Sequence, residues 1–178
     1  LKIHVTLTNS CNLKCKFCFI DNREKIFLPN SICEDIINLF PYLEEIVWQG
    51  GEAFLHPYFK NMQKEIIKYP YIIQTLLTAG YFVNIEWLEL FLKMDKFNIV
   101  LPIESIDVNK YSYYREGGDL NKIKSIIKLI NFFNKKYNNK LNSIINTIVM
   151  KNNYKEIEDI IDFCIENGGT NSHSRPSR

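Results

Sequence analysis

No stretch of this 178-residue chain approaches the roughly 20 consecutive apolar residues that cross a bilayer. The opening residues, Leu1 to Thr8, lack the basic head and long apolar stretch of a secretory leader. An excess of charge is missing too: 22 Lys and Arg stand against 20 Asp and Glu, and a net charge of +2 gives no electrostatic case for nucleic acid. Cysteines are too few and too uneven for a disulfide framework, with three of the five clustered and the others isolated at Cys33 and Cys164. No repeat or linker divides the chain. These absences describe a cytoplasmic protein with neither a membrane nor a nucleic-acid partner, folded as one domain, and 46% hydrophobic residues supply its core.

What is present is a regular alternation of strand-like and helix-like segments, the pattern of an α/β protein with a parallel sheet. In the first strand Ile3, Val5 and Leu7 alternate with His4, Thr6 and Thr8, so one face meets helices while the other offers polar groups to an interior. A helix is expected from Ser31 to Phe40, started by the signals at Pro29, Asn30 and Ser31 and stopped by Pro41. A strand over 44–49 ends at Gly50 and Gly51. The next helix opens at His56 and Pro57 and runs toward Pro70. Further strands are expected over 72–78, 98–107 and 143–150, and Pro102 predicts an irregularity in the second of these. Helices are expected over 85–94, from Asp119 through Ile123, Ile126, Ile127, Ile130 and Phe133, and over 154–166, the last ending at Gly168 and Gly169. Residues 171–178 hold nothing apolar and read as a disordered tail or a junction.

The chemistry is carried by Cys11, Cys15 and Cys18, spaced C-x3-C-x2-C behind the first strand. Three thiolates can hold three irons of a cubane 4Fe-4S cluster and leave the fourth iron open to a ligand that is not protein. A structural zinc site needs four ligands, and the nearest spare histidine is His4, on a strand. A redox pair of Cys15 and Cys18 leaves Cys11 unexplained. Cys33 and Cys164 lie on apolar helix faces and read as small buried hydrophobes, while His4 and His56 read as structural. Gly50 and Gly51 let the backbone approach a ligand closely, and Glu52 can accept from an ammonium or stabilise its own loop.

The cysteine triad with Phe17 before its last member, followed by W48-Q-G-G-E-A-F-L-H-P57, resembles the radical S-adenosylmethionine (SAM) superfamily. The segments E104-S-I-D107, Tyr114 to Gly118 and T147-I-V-M-K-N-N153 extend the likeness toward its peptide- and protein-modifying subgroup, the SPASM-type maturases. The resemblance implies a partial (β/α) barrel over residues 1–170 with about five of the usual six β/α units, and hence a core that is incomplete at its C-terminal side. It implies a 4Fe-4S cluster on Cys11, Cys15 and Cys18, and SAM held by Phe17, Gly50, Gly51, Glu52, Ser105 and Arg115. Of these, Ser105 meets the ribose, with Asp107 on the same strand parity and Glu104 facing away. Arg115 pairs with the SAM carboxylate or else stands as a solvated loop charge. Phe17 lies by the adenine or covers the cluster, and parity directs Asn146 into the lumen. A peptide, protein or small-molecule substrate and an electron donor such as flavodoxin or ferredoxin complete the expectation. The rival readings are a zinc-binding interaction module and an inactive, truncated member of the same family.

Overall fold

The computed structural model describes residues 1–20, 24–138 and 140–167. Five parallel strands form one sheet in the order β1 (Lys2–Thr6), β3 (Glu45–Gln49), β4 (Ile73–Leu77), β5 (Phe97–Pro102) and β7 (Leu141–Asn146). Between them run the helices α1 (Asn30–Leu39), α2 (Phe59–Ile66), α3 (Ile85–Phe91), α4 (Val108–Tyr114) and α5 (Leu120–Lys136), and α6 (Ile157–Glu166) follows β7. A second, two-stranded pairing joins β2 (Lys14–Cys15) to β6 (Arg115–Glu116), antiparallel. The architecture is the expected α/β arrangement, a parallel sheet consistent with a partial (β/α) barrel.

Strand parity sorts the side chains. Ile46 and Trp48, Gln74 and Leu76, and Phe97, Ile99 and Leu101 are buried toward the helices, where α2, α3 and α5 deliver Phe59, Met62, Phe91, Ile123, Ile127 and Ile130. Rings fill much of this layer: Phe91 stacks on Phe97 at 3.9 Å between centroids, and Trp48 meets Phe59 edge-on at 5.5 Å. Alternate residues face the opposite way, toward the lumen. There Asn98 Nδ2 donates to Thr75 Oγ1 at 3.0 Å and Asn142 Nδ2 to Asn98 Oδ1 at 2.9 Å, so neighbouring strands are tied through their polar side chains.

Several boundaries differ from the sequence reading, each for a local reason. The first helix begins at Asn30 with Pro29 as its cap; no side chain caps it, and the Pro29 carbonyl accepts from Ile32 and Cys33. Pro57 does not open α2, because residues 56–58 form a turn in which Tyr58 N donates to His56 Nδ1 and the helix starts at Phe59. The third helix stops at Phe91, and Asn84 caps its start by accepting from Trp87 N. Pro102 is the end of its strand, and β7 ends at Asn146. Residues 103–107 therefore leave the sheet, and Asp107 becomes the cap of α4, a helix absent from the sequence expectations, by accepting from Lys110 N at 2.8 Å. Asp119 caps α5 as expected. Cys33 and Cys164 are buried on α1 and α6, as expected. The anticipated stop at Gly168 and Gly169 and the tail lie outside the described residues.

Candidate active site

The loop after β1 is held on both sides before any cysteine is reached. Thr8 Oγ1 donates to the Ile26 carbonyl at 2.6 Å, and the Thr8 and Ser10 carbonyls accept from Gly51 N and Glu52 N, each at 2.7 Å. This stitching brings the two glycines against the cysteine loop with no room for side chains. A Cβ on Gly51 would sit 2.1 Å from the Ser10 carbonyl oxygen, and one on Gly50, whose φ is +120°, would sit 2.5 Å from that of Thr8. On the other flank β2 pairs with β6, Cys15 opposite Arg115, and Lys16 N donates to the Tyr114 carbonyl at 3.0 Å.

Between these flanks opens a cavity of about 640 Å³ at the C-terminal ends of the strands, whose walls include Cys11, Cys15, Cys18, Gly50, Gly51 and Arg115. Phe17 and Asn146 also line it, Asn146 from the lumen side that parity assigned. All three cysteines are free thiols. Burial pushes the Cys11 and Cys15 thiols up; against it work the Leu13 N–H at Cys11 Sγ and the Arg115 guanidinium at Cys15 Sγ, while the nearby Cys18 adds to the rise of both. Bound iron overcomes such a desolvation cost, because a coordinating thiol is deprotonated by the metal's own charge.

The remaining residues are distributed differently from the sequence reading. Glu52 is fully buried behind the glycines, where its carboxylate accepts from Thr78 Oγ1 and Ala79 N, each at 2.9 Å. Desolvation raises its pKa to about 7. Of the two readings left open for Glu52, the geometry displays the loop-stabilising one. Ser105 lies beyond the end of β5, fully buried, and is not brought into the cavity wall; its hydroxyl donates to Glu156 Oε2 at 2.5 Å and accepts from Asp107 N at 3.1 Å. Asp107, being a helix cap, does not share strand parity with it. Arg115 is not a solvated charge. Its Nε and Nη2 donate to the two Glu104 oxygens at 2.5 and 2.7 Å, its Nη1 to Cys15 Sγ at 3.3 Å, and its plane lies over Phe17.

Glu104, read from the sequence only as facing away from Ser105, is thus the carboxylate partner of Arg115 within the chain. Asn153 is the other residue to which sequence reasoning assigned no role. Fully buried, it donates to the Glu104 and Ile148 carbonyls and accepts from Met150 N, closing the loop after β7 over the segment that carries Glu104 and Ser105. No local pattern announces either contact. His56 is structural, with Nε2 at 2.9 Å from the Leu28 carbonyl oxygen, whereas His4 is exposed on β1.

The family model described as the Radical SAM superfamily matches residues 5–164. The chain belongs to that superfamily. Among radical SAM relatives, the cysteine-type anaerobic sulfatase-maturating enzyme of Clostridium novyi (strain NT) is 27% identical, over 88% of this chain and 45% of its own length. The tungsten-containing aldehyde ferredoxin oxidoreductase cofactor-modifying protein of Pyrococcus furiosus is likewise 27% identical, over 93% of this chain and 48% of its own. Streptococcus suis SuiB, solved with its precursor peptide SuiA, shares the fold at a TM-score of 0.78 with 24% identity, over 95% of this chain and 37% of its own. This radical SAM chain therefore spans less than half the length of these relatives. Members of the superfamily use a 4Fe-4S cluster and SAM, and the donor set fits the former: three free thiols share one cavity, two of them already receiving N–H donors. Among the described residues, no three His, Cys, Asp or Glu side chains converge as one metal ion requires.

Proposed function

We propose that residues 1–170 form the radical SAM core domain of an enzyme that modifies a peptide or protein. In this reading Cys11, Cys15 and Cys18 hold a 4Fe-4S cluster, and Phe17, Gly50 and Gly51 form the SAM-facing wall. The observation that carries it is the shared cavity: the three thiols and the paired glycines, contributed by two successive β/α units, face one space of about 640 Å³. When bound, the cluster supplies an electron that splits SAM into methionine and a 5'-deoxyadenosyl radical able to take hydrogen from the substrate.

The chain's own residues hold and shield. Gly50 and Gly51, without side chains, let the methionyl end of SAM come close to their backbone, and Glu52 keeps their loop in place through Thr78 and Ala79. Phe17, packed under the Arg115 guanidinium, restricts water beside Cys15. Ser105 and Asp107 act at one remove, by fixing the start of α4. Support for a peptide or protein substrate comes from the likeness to SuiB and to the sulfatase-maturating enzyme. The electron would come from a flavodoxin- or ferredoxin-type donor. Among the described residues no helix is long and apolar enough to cross a membrane.

The test is anaerobic reconstitution with iron and sulfide, then reductant and SAM, with 5'-deoxyadenosine measured. A brown protein that releases deoxyadenosine supports the proposal. A colourless protein, or one in which zinc replaces iron, overturns it.

A further inference from the structure

We propose that Glu104 and Arg115 set the reduction potential of the cluster by locking an N–H donor onto the Cys15 sulfur. The proposal rests on Cys15 being a cluster ligand. Arg115 is held from several directions: both Glu104 oxygens occupy its Nε and Nη2, the Phe17 ring lies 5.1 Å from its guanidinium carbon, and the β2–β6 register sets its backbone opposite that of Cys15. Nη1 is thereby aimed at Cys15 Sγ at 3.3 Å. The ion pair is nearly dry, the Glu104 side chain being 0% and the Arg115 side chain 12% exposed. Asn153 secures the backbone of Glu104 in turn.

A buried ion pair is a poor device for stability, because desolvation offsets most of its attraction. As a device for orienting one donor it is well suited, since the bidentate grip leaves the guanidinium a single direction in which to point. Reduction places additional negative charge on the cluster and its thiolates. An N–H donor at one of those sulfurs therefore favours the reduced form and raises the potential, all the more where water is excluded. Glu104 is a positioning residue that acts through Arg115, and its charge moderates that of the guanidinium.

The reconstituted full chain, without SAM, is titrated electrochemically and followed by electron paramagnetic resonance, with iron and sulfide counted in every sample. Arg115→Met shifts the midpoint to more negative potential, and Arg115→Lys, which keeps charge but not the fork, gives a smaller shift in the same direction. Glu104→Gln keeps one accepting oxygen but turns an amide NH2 toward the second guanidinium N–H, so the bidentate grip is lost and the midpoint moves away from the parental value. If the parent chain takes up no iron and sulfide, the cluster reading itself falls. If the parent loads fully and Arg115→Met keeps the parental midpoint, only the present inference falls. Should Arg115→Met fail to load, the other two variants decide, and an unchanged midpoint in both overturns the proposal.

Discussion

Gly51 lies so close to Ser10 that a methyl group on its Cα would stand 2.1 Å from the Ser10 carbonyl oxygen. That oxygen already accepts from Glu52 N, so it cannot retreat without breaking the stitch between the glycine loop and the cysteine loop. Gly51→Ala should therefore cost about 1–3 kcal/mol in denaturant unfolding, the usual range for forced overpacking. It should also lower iron uptake, since Ser10 is the residue before Cys11. A variant that unfolds like the parent and loads as much iron would show that the approach is not needed.

Glu52 gives a pH dependence of defined sign. Its folded pKa of about 7 exceeds the ordinary 4.5, so between those values the folded chain keeps a proton that the unfolded chain has lost. Stability from this group therefore falls as pH rises through that window, by about 3 kcal/mol in all, and the loss is complete above the folded pKa. Glu52→Gln removes the titration. Its stability relative to the parent should climb between about pH 4.5 and 7 and then level, as read from paired urea unfolding curves of the cluster-free chain. A flat difference would mean that the carboxyl is charged throughout.

The five cysteines should separate into two classes. Cys11→Ala, Cys15→Ala and Cys18→Ala should each lose most of the iron and the visible absorption of the reconstituted protein. Cys33→Ala and Cys164→Ala, at buried positions on α1 and α6, should keep both while melting at lower temperature. Iron loss in the second class without unfolding would place a ligand where the fold shows only packing.

Ser105 and Asp107 should behave as architecture. Removing the hydroxyl that donates to Glu156 in Ser105→Ala should cost about 2 kcal/mol, as for a hydrogen bond to a charged group. Asp107→Ala should cost about 1 kcal/mol, while Asp107→Asn, which still accepts from Lys110 N, stays within a few tenths. In calorimetry the affinity of the reconstituted chain for SAM should change less than tenfold in Ser105→Ala. A loss of 100-fold with unchanged unfolding would give the serine a direct role at the ligand.

Much of this protein could be read along the chain. The spacing of Cys11, Cys15 and Cys18, the paired glycines, the buried helix stripe from Ile123 to Phe133 and the alternation in β1 each depend on geometry within a few residues, and a strand or helix repeats that geometry wherever it occurs. The α4 helix was missed because seven residues hold only two buried positions, Tyr111 and Tyr114, too few to display a period.

Only the tertiary structure chose partners. Arg115 meets Cys15 across 100 residues and Ser105 meets Glu156 across 51, and both contacts depend on which loops the strand order β1-β3-β4-β5-β7 and the β2–β6 pairing set side by side. A charged side chain carries its capacity for bonding in its own atoms. Which of several carboxylates it finds is decided by the packing of distant segments, and burial then makes that choice costly to undo.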